Sequence, residues 1–331
     1  MFGIDILGTG IYTPSIRVTN DDMAKIVDTN DEWISTRTGI KSRNLTDGEP
    51  TWKMGAEAAK QALENAGIDG SEVGLIIDTT VTSDFMTPSV ACLIQREIGA
   101  ANAAAFDLNA ACSGFVYALD TAKRFLQTDD NLKYVLVVAN ETLSNFVDFS
   151  DRSSCILFGD GAAAAVVTRS EKLFASFLGA DGKGSVALYA KNAPVYHPFR
   201  KTEKNLMETN EFAAGTTKLI QDGKEVYKFA TKALPEAASR AAEKVGLDIS
   251  EIDWFIPHQA NIRIIETAAK NIGVSMDKFI VNIENHGNTS SASIPIALHE
   301  AIAEGKIKKG EKICLVGFGA GLTMGAVIME Y

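Results

Sequence analysis

Only four cysteines and four histidines occur among the 331 residues, and neither type clusters. Cys92, Cys112, Cys155 and Cys314 stand too far apart for a metal-ligand set or a disulfide framework, so each reads as a free thiol and no metal is expected. Apolar runs long enough to span a bilayer are missing, and the N-terminal Met-Phe-Gly-Ile-Asp lacks the charged-then-apolar order of a secretion signal. The expectation is a cytoplasmic protein without membrane contact. Runs of basic residues are missing too. At a formal charge of -10, a non-specific nucleic-acid surface is not expected, and any anionic partner must meet a local basic patch.

What the chain does have is apolar substance: 46% of its residues are hydrophobic, enough for two core-forming units. These units resemble each other. At an offset of 179 residues, Glu64 aligns with Glu243, Gly67 with Gly246, Asp69 with Asp248 and Ser71-Glu72 with Ser250-Glu251. Each copy runs from an alanine-rich helical pattern through a glycine stop and an acidic turn into an apolar strand, Leu75–Ile77 or Trp254–Ile256. The continuous apolar runs Tyr134–Ala139 and Ile313–Gly317 suit strands covered on both faces. An α/β layered fold of two duplicated halves follows, divided as 1–175 and 176–331. A polar, turn-prone stretch at about 181–223, with Pro194 and Pro198, reads as a loop inserted between them.

Three positions carry chemistry. Cys112 follows the strand-like Ala105–Leu108 and opens a helical segment, where unpaired N–H groups and the helix dipole favour the nucleophilic thiolate. The alternative is a buried thiol packing as a small hydrophobe. His258 stands at the end of the second-copy strand, where α/β folds present functional groups, or else is a satisfied core histidine. Asn288 precedes a helical pattern at a place corresponding roughly to Cys112, either functional or a helix cap. His197, His286 and His299 have no comparable setting.

With Cys112 in Ala-Ala-Cys-Ser-Gly-Phe, His258 in His-Gln-Ala-Asn-Ile-Arg-Ile and Asn288 in Gly-Asn-Thr-Ser-Ser-Ala-Ser, the chain closely resembles the β-ketoacyl-[acyl-carrier-protein] synthase III family of type II fatty acid synthesis. Further matching stretches are 31–40, 151–154, 158–162 and 317–323, so the resemblance covers nearly the whole chain.

The resemblance implies a thiolase-like fold, βαβαβαββ-type halves in five αβαβα layers, acting as a homodimer. It implies that Cys112 takes an acyl group from acyl-CoA while His258 and Asn288 hold the malonyl thioester carbonyl during decarboxylation. The acyl oxyanion would meet the N–H groups of Cys112 and Ala320; the family usually has glycine at 320, so that donor survives only if Ala320 keeps a negative φ. By the same resemblance Trp33, Arg37, Thr38, Arg152 and Asn261 bind CoA, with Ser153 replacing a frequent glycine. Thr87, Phe158 and Phe318 line the acyl pocket, Thr87 from across the dimer. Lys228, Arg263 and Lys270 receive the acidic acyl carrier protein. No cofactor is implied beyond the acyl-CoA and malonyl-carrier substrates. A thiolase reading is disfavoured because Cys314 lies inside an apolar strand and the Asn288 motif is intact.

Overall fold

The computed structural model describes residues 2–191 and 217–331; most of the expected inserted loop, including Pro194, Pro198 and His197, lies outside the described residues. Nine of the strands form the two large sheets. The first holds β1 (Gly3–Tyr12), β2 (Val73–Thr79), β3 (Ala104–Leu108), β4 (Tyr134–Glu141) and β5 (Gly161–Ser170) in the order β1-β5-β4-β2-β3. The second holds β6 (Phe174–Ala180), β7 (Trp254–Pro257), β8 (Lys312–Gly319) and β9 (Thr323–Glu330) in the order β7-β8-β9-β6. In each sheet the two central strands of the βαβ unit pair in parallel, β2 with β4 and β7 with β8, while the rest of the shared order is antiparallel. Strand β6 spans the expected boundary between the halves and hydrogen-bonds into the second sheet.

Helices α1 (Asp31–Thr38), α2 (Thr51–Ala66), α3 (Val90–Glu97), α4 (Gly114–Thr128), α5 (Gly223–Glu243), α6 (Ile262–Ile272) and α7 (Ser293–Ala303) complete the framework. The side-chain alternation of the strands sorts them into layers. Leu75, Ile77, Val135 and Val137 face α4 and α7, which also receive Ile313, Leu315, Val327 and Met329 from the second sheet. On the opposite faces, Ile76, Leu136 and Val138 pack against α2 and α3, and Cys314, Val316, Ala326 and Ile328 against α5 and α6. The result is five layers, helix, sheet, helix, sheet, helix, with α4 and α7 in the middle. Fully burying one such branched side chain contributes about 1.5–3 kcal/mol, so covering the central strands on both faces adds to their stability.

The duplicated turns explain the shared entry into β2 and β7. Gly67 and Gly246 both end their helices in the left-handed region, at φ 67° and 64°, where a side chain is strained. Asp69 with Glu72, and Asp248 with Glu251, then form reciprocal capping boxes. Among the described residues no helix is long and apolar enough to cross a membrane, and no group of three His, Cys, Asp or Glu side chains is placed to hold a metal.

Candidate active site

Cys112 lies in a 3-10 turn, Ala111–Ser113, that feeds α4. Just before it, Ala111 takes a positive φ of 48°, held by the Asn109 side-chain oxygen accepting from the Ala111 N–H at 3.2 Å. One repeat later, Asn288 Oδ1 accepts from the Ser290 N–H at 2.9 Å and Ser290 takes φ 49°. The offset of 179 thus pairs Asn109 with Asn288, Ala111 with Ser290 and Cys112 with Ser291, which corrects the expectation that Asn288 mirrors Cys112. Nor does Asn288 cap α7, whose start has no side-chain cap. Its backbone is bound at both ends, to Leu157 O at 2.9 Å and from Gly159 N at 3.0 Å. Only its Nδ2 donor is left without a hydrogen bond among the described residues, because Oδ1 is fixed as acceptor by the Ser290 N–H.

His258 follows β7 and is anchored by its N–H to Val316 O at 2.8 Å. It is buried, and burial pulls its imidazole down to about 3, so the ring is neutral. Its Nδ1 lies 2.7 Å from Ser293 Oγ, and that oxygen already accepts the Gln259 N–H at 3.3 Å. When the Ser293 hydroxyl donates along this contact, the ring proton sits on Nε2, the tautomer with a free donor. Phe318 packs edge-on against the imidazole, centroids 5.2 Å apart.

The thiol departs from expectation. Cys112 is buried, and loss of solvent pushes it up to about 12 even though the Ser290 hydroxyl draws it down; the resting group is the neutral thiol, not a thiolate. Position in sequence promised the helix terminus but not the depth at which it is buried.

Opposite the Cys112 N–H runs the turn at the end of β8. A side chain on Gly319 would place its Cβ 2.6 Å from Cys112 N, so glycine is required for the two backbones to meet. Ala320 is not among the residues with positive φ, which leaves its N–H orientation unstrained by the methyl. Thr323 ties the two turns together: its hydroxyl accepts from Ser113 at 2.8 Å and lies 2.9 Å from Ala110 O and 3.2 Å from Ala320 O.

Cys112, Ser290, Ala320 and Thr323 open onto a cavity of about 830 Å³. Its apolar wall comes from Val81, Leu143, Phe146, Phe158, Leu188 and Leu219. Of the three expected pocket residues only Phe158 lines it. Phe318 packs against His258, and Thr87 is exposed on the loop before α3, outside the cavity of the single chain. The cap of α3 is Ser89, so Thr87 does not start that helix.

At the surface, the guanidinium groups of Arg37 and Arg152 lie 4.6 and 4.9 Å from the centre of the Trp33 ring. Thr38 is buried, and its hydroxyl donates to Ile34 O at 2.7 Å and accepts from Ile40 N at 3.1 Å. Asn261 caps α6 through the Arg263 N–H at 2.9 Å. Arg263 itself is exposed and donates to Thr36 O at 3.0 Å, bracing α6 on α1. Lys270 is exposed on α6, and exposed Lys228 on α5 sits 3.7 Å from Glu225. Sequence reasoning missed Ser293, Asn109 and most of the cavity wall. Applying the repeat offset to 109–112 would have flagged 288–291; the wall residues carry no local pattern.

Comparison with known proteins agrees with this arrangement. Residues 106–182 match the family 3-oxoacyl-[acyl-carrier-protein] synthase III, and residues 242–331 match its C-terminal region. The β-ketoacyl-[acyl-carrier-protein] synthase III of Clostridium acetobutylicum is 47% identical over 100% of this chain and 99% of its own length. That of Oceanobacillus iheyensis is 48% identical over 99% of each. The crystal structure of 3-oxoacyl-[acyl-carrier-protein] synthase III from Aquifex aeolicus, 44% identical, superposes with a TM-score of 0.90 over 99% of this chain and 100% of that one. With relatives this similar along its full length, the chain belongs to the 3-oxoacyl-[acyl-carrier-protein] synthase III family.

Proposed function

We propose that this protein joins an acyl group from acyl-CoA to a malonyl group on acyl carrier protein, giving 3-oxoacyl-carrier protein, carbon dioxide and CoA, the step that begins fatty acid assembly. The observation that carries this reading is Cys112 on the floor of an apolar cavity, with its own N–H facing the Gly319–Ala320 turn. Cys112 attacks the acyl thioester, and the oxyanion meets the Cys112 and Ala320 N–H groups. CoA leaves as its thiol. The malonyl thioester then enters, and its oxygen accepts from His258 Nε2–H and Asn288 Nδ2–H. Its carbon–carboxylate bond breaks, carbon dioxide departs, and the electron pair forms an enolate that these neutral donors stabilise. The enolate carbon attacks the acyl-Cys112 carbonyl, and the carbon–sulfur bond to Cys112 breaks. No resident cofactor enters this scheme.

Trp33 with Arg37 and Arg152 supplies an aromatic face and two cations for the adenine and phosphates of CoA, with Asn261 nearby on α6. Lys228, Arg263 and Lys270 offer the local cationic patch that an acidic carrier requires on an acidic protein. The partly exposed edge strand β3, together with exposed Phe85 and Met86 on the loop between β2 and α3, is the face on which a second copy docks, bringing Thr87 toward the partner's cavity. The protein works in the cytoplasm.

The direct test incubates the protein with malonyl-carrier protein and a panel of acyl-CoA primers and follows 3-oxoacyl product and carbon dioxide; failure with every primer rules the reading out. The same panel checks the cavity. Leu143→Trp fills space beside Phe146 and Phe158, and because each buried methylene is worth about 0.8 kcal/mol, kcat/KM for five- and six-carbon primers relative to acetyl-CoA is expected to fall about tenfold or more. An unchanged ratio means that the primer chain lies elsewhere.

A further inference from the structure

Helix α7 is mostly apolar, but Ser293 and Glu300 stand seven places apart on it and therefore share one face. Ser293 meets the surroundings of one donor, His258 Nδ1 at 2.7 Å and the Gln259 N–H at 3.3 Å. Glu300 meets the surroundings of the other. Its Oε2 accepts from Asn282 Nδ2 at 2.8 Å, and its Oε1 lies 2.7 Å from Nε2 of His286, two residues before Asn288. A carboxylate only accepts, so the imidazole of His286 donates from Nε2. The two ends are joined. The Asn282 N–H donates to Gln259 Oε1 at 3.2 Å, and Gln259 Nε2 donates to Pro257 O at 2.7 Å and Ile280 O at 3.1 Å. Hydrogen bonds thus run without a break from Gln259, beside His258, through Asn282 and Glu300 to His286, which leads through Gly287 into Asn288.

The duplication shows why this half needs such a tie. In the first half Ala105 on β3 pairs with Ile76 on β2, and in the second Phe279 bridges to Phe255 on β7. Three residues separate Ala105 from Asn109, but eight separate Phe279 from Asn288. The additional length forms the short helix Ile283–His286 and the turn at Gly287, φ 65°. Asn288 therefore hangs on a longer connection than its counterpart, and a longer connection has more conformations to lose unless it is fastened. The first half has no equivalent fastening among the described residues. The offset of 179 places Gly114 and Thr121 of α4 opposite Ser293 and Glu300; glycine has no side chain to offer, and Thr121 donates to Tyr117 O within its own helix at 2.8 Å.

We propose that Glu300 is a positioning residue that sets the spacing of the two donors to the malonyl thioester oxygen, His258 Nε2–H and Asn288 Nδ2–H. This rests on the reading of His258 and Asn288 as the decarboxylation donors. Glu300 touches no reacting atom. It holds residues 282 and 286 against the face of α7 that also carries Ser293, so that one helix locates both donors. A displaced donor stabilises the developing enolate less, whereas the acyl oxyanion is served by the Cys112 and Ala320 N–H groups and does not depend on this tie.

The test is Glu300→Ala in the full chain, with decarboxylation of malonyl thioester and single-turnover acylation of Cys112 by labelled acyl-CoA followed separately. Decarboxylation is expected to fall about 30-fold while acylation stays within about threefold of the wild type. Glu300→Gln keeps an oxygen for Asn282 and an N–H for the imidazole, and should restore decarboxylation to within about threefold. His286→Ala cuts only the arm toward Asn288 and should cost about tenfold; in an Asn288→Ala background the same change should cost less than about twofold, because the donor it positions is gone. This cycle decides the matter should Glu300→Ala fail to fold. The positioning role is overturned if Glu300→Ala leaves decarboxylation unchanged, if both half-reactions fall together, if Glu300→Gln is as slow as Glu300→Ala, or if the losses from His286→Ala and Asn288→Ala multiply in full. Should His258→Ala and Asn288→Ala themselves leave decarboxylation unchanged, the reading of the two donors fails instead, and the role of Glu300 with it.

Discussion

Cys112→Ser is expected to abolish acyl transfer, with condensation falling at least about 1,000-fold, because a covalent intermediate has no other route in this cavity. Burial already holds the thiol at about 12, and a hydroxyl in the same place is less acidic still and a poorer nucleophile at its oxygen. The remaining cysteines are poor substitutes. Cys155 is buried and pushed up to about 11, Cys314 is raised further by complete burial inside β8, and Cys92 is exposed on α3 away from the cavity wall. The measurement is mass spectrometry of the protein after brief exposure to acyl-CoA. One acyl group on the peptide containing Cys112 is the expected result, with none on Cys112→Ser. An adduct on any other cysteine reassigns the nucleophile.

That cysteine was legible in the sequence because its setting is local: a strand, a short turn and an amphipathic helix, all within 104–128. The duplicated fold was legible for the same reason, since Gly67 and Gly246 stop their helices and Asp69 and Asp248 start the next turns through contacts only a few residues apart. What escaped were properties made by packing. The thiol's raised pKa comes from layers of protein above the helix terminus, which no spacing rule records. The two internal hydrogen bonds of Thr38 exist only once α1 has ended at Gly39. The cavity wall draws on 81, 143, 146, 158, 188 and 219, positions that share no periodicity. Cys112, His258 and Asn288 stood out as three unusual residues, yet the serines at 290, 291 and 293 that surround them looked like one polar run.

Replacing His258 with alanine is expected to separate the two half-reactions. Decarboxylation should fall about 100- to 1,000-fold, the usual consequence of removing a preorganised donor to a developing oxyanion, while acylation of Cys112 stays within severalfold of the wild type. Asn288→Ala should behave alike, since its Nδ2 is the second free donor and its Oδ1 is committed to Ser290. Ser293→Ala sharpens the argument. It leaves the imidazole in place but removes the hydroxyl that faces Nδ1 and holds the ring, so decarboxylation should drop about tenfold, with acylation untouched. The pH profile adds an independent check. A folded-state pKa lowered to about 3 means that the ring is neutral at every pH above that value, so decarboxylation should show no limb near the ordinary histidine pKa. A limb at that pH, or equal loss of both half-reactions in His258→Ala, would mean that the imidazole exchanges protons during acyl transfer, and the division of labour between Cys112 and the two neutral donors would have to be abandoned.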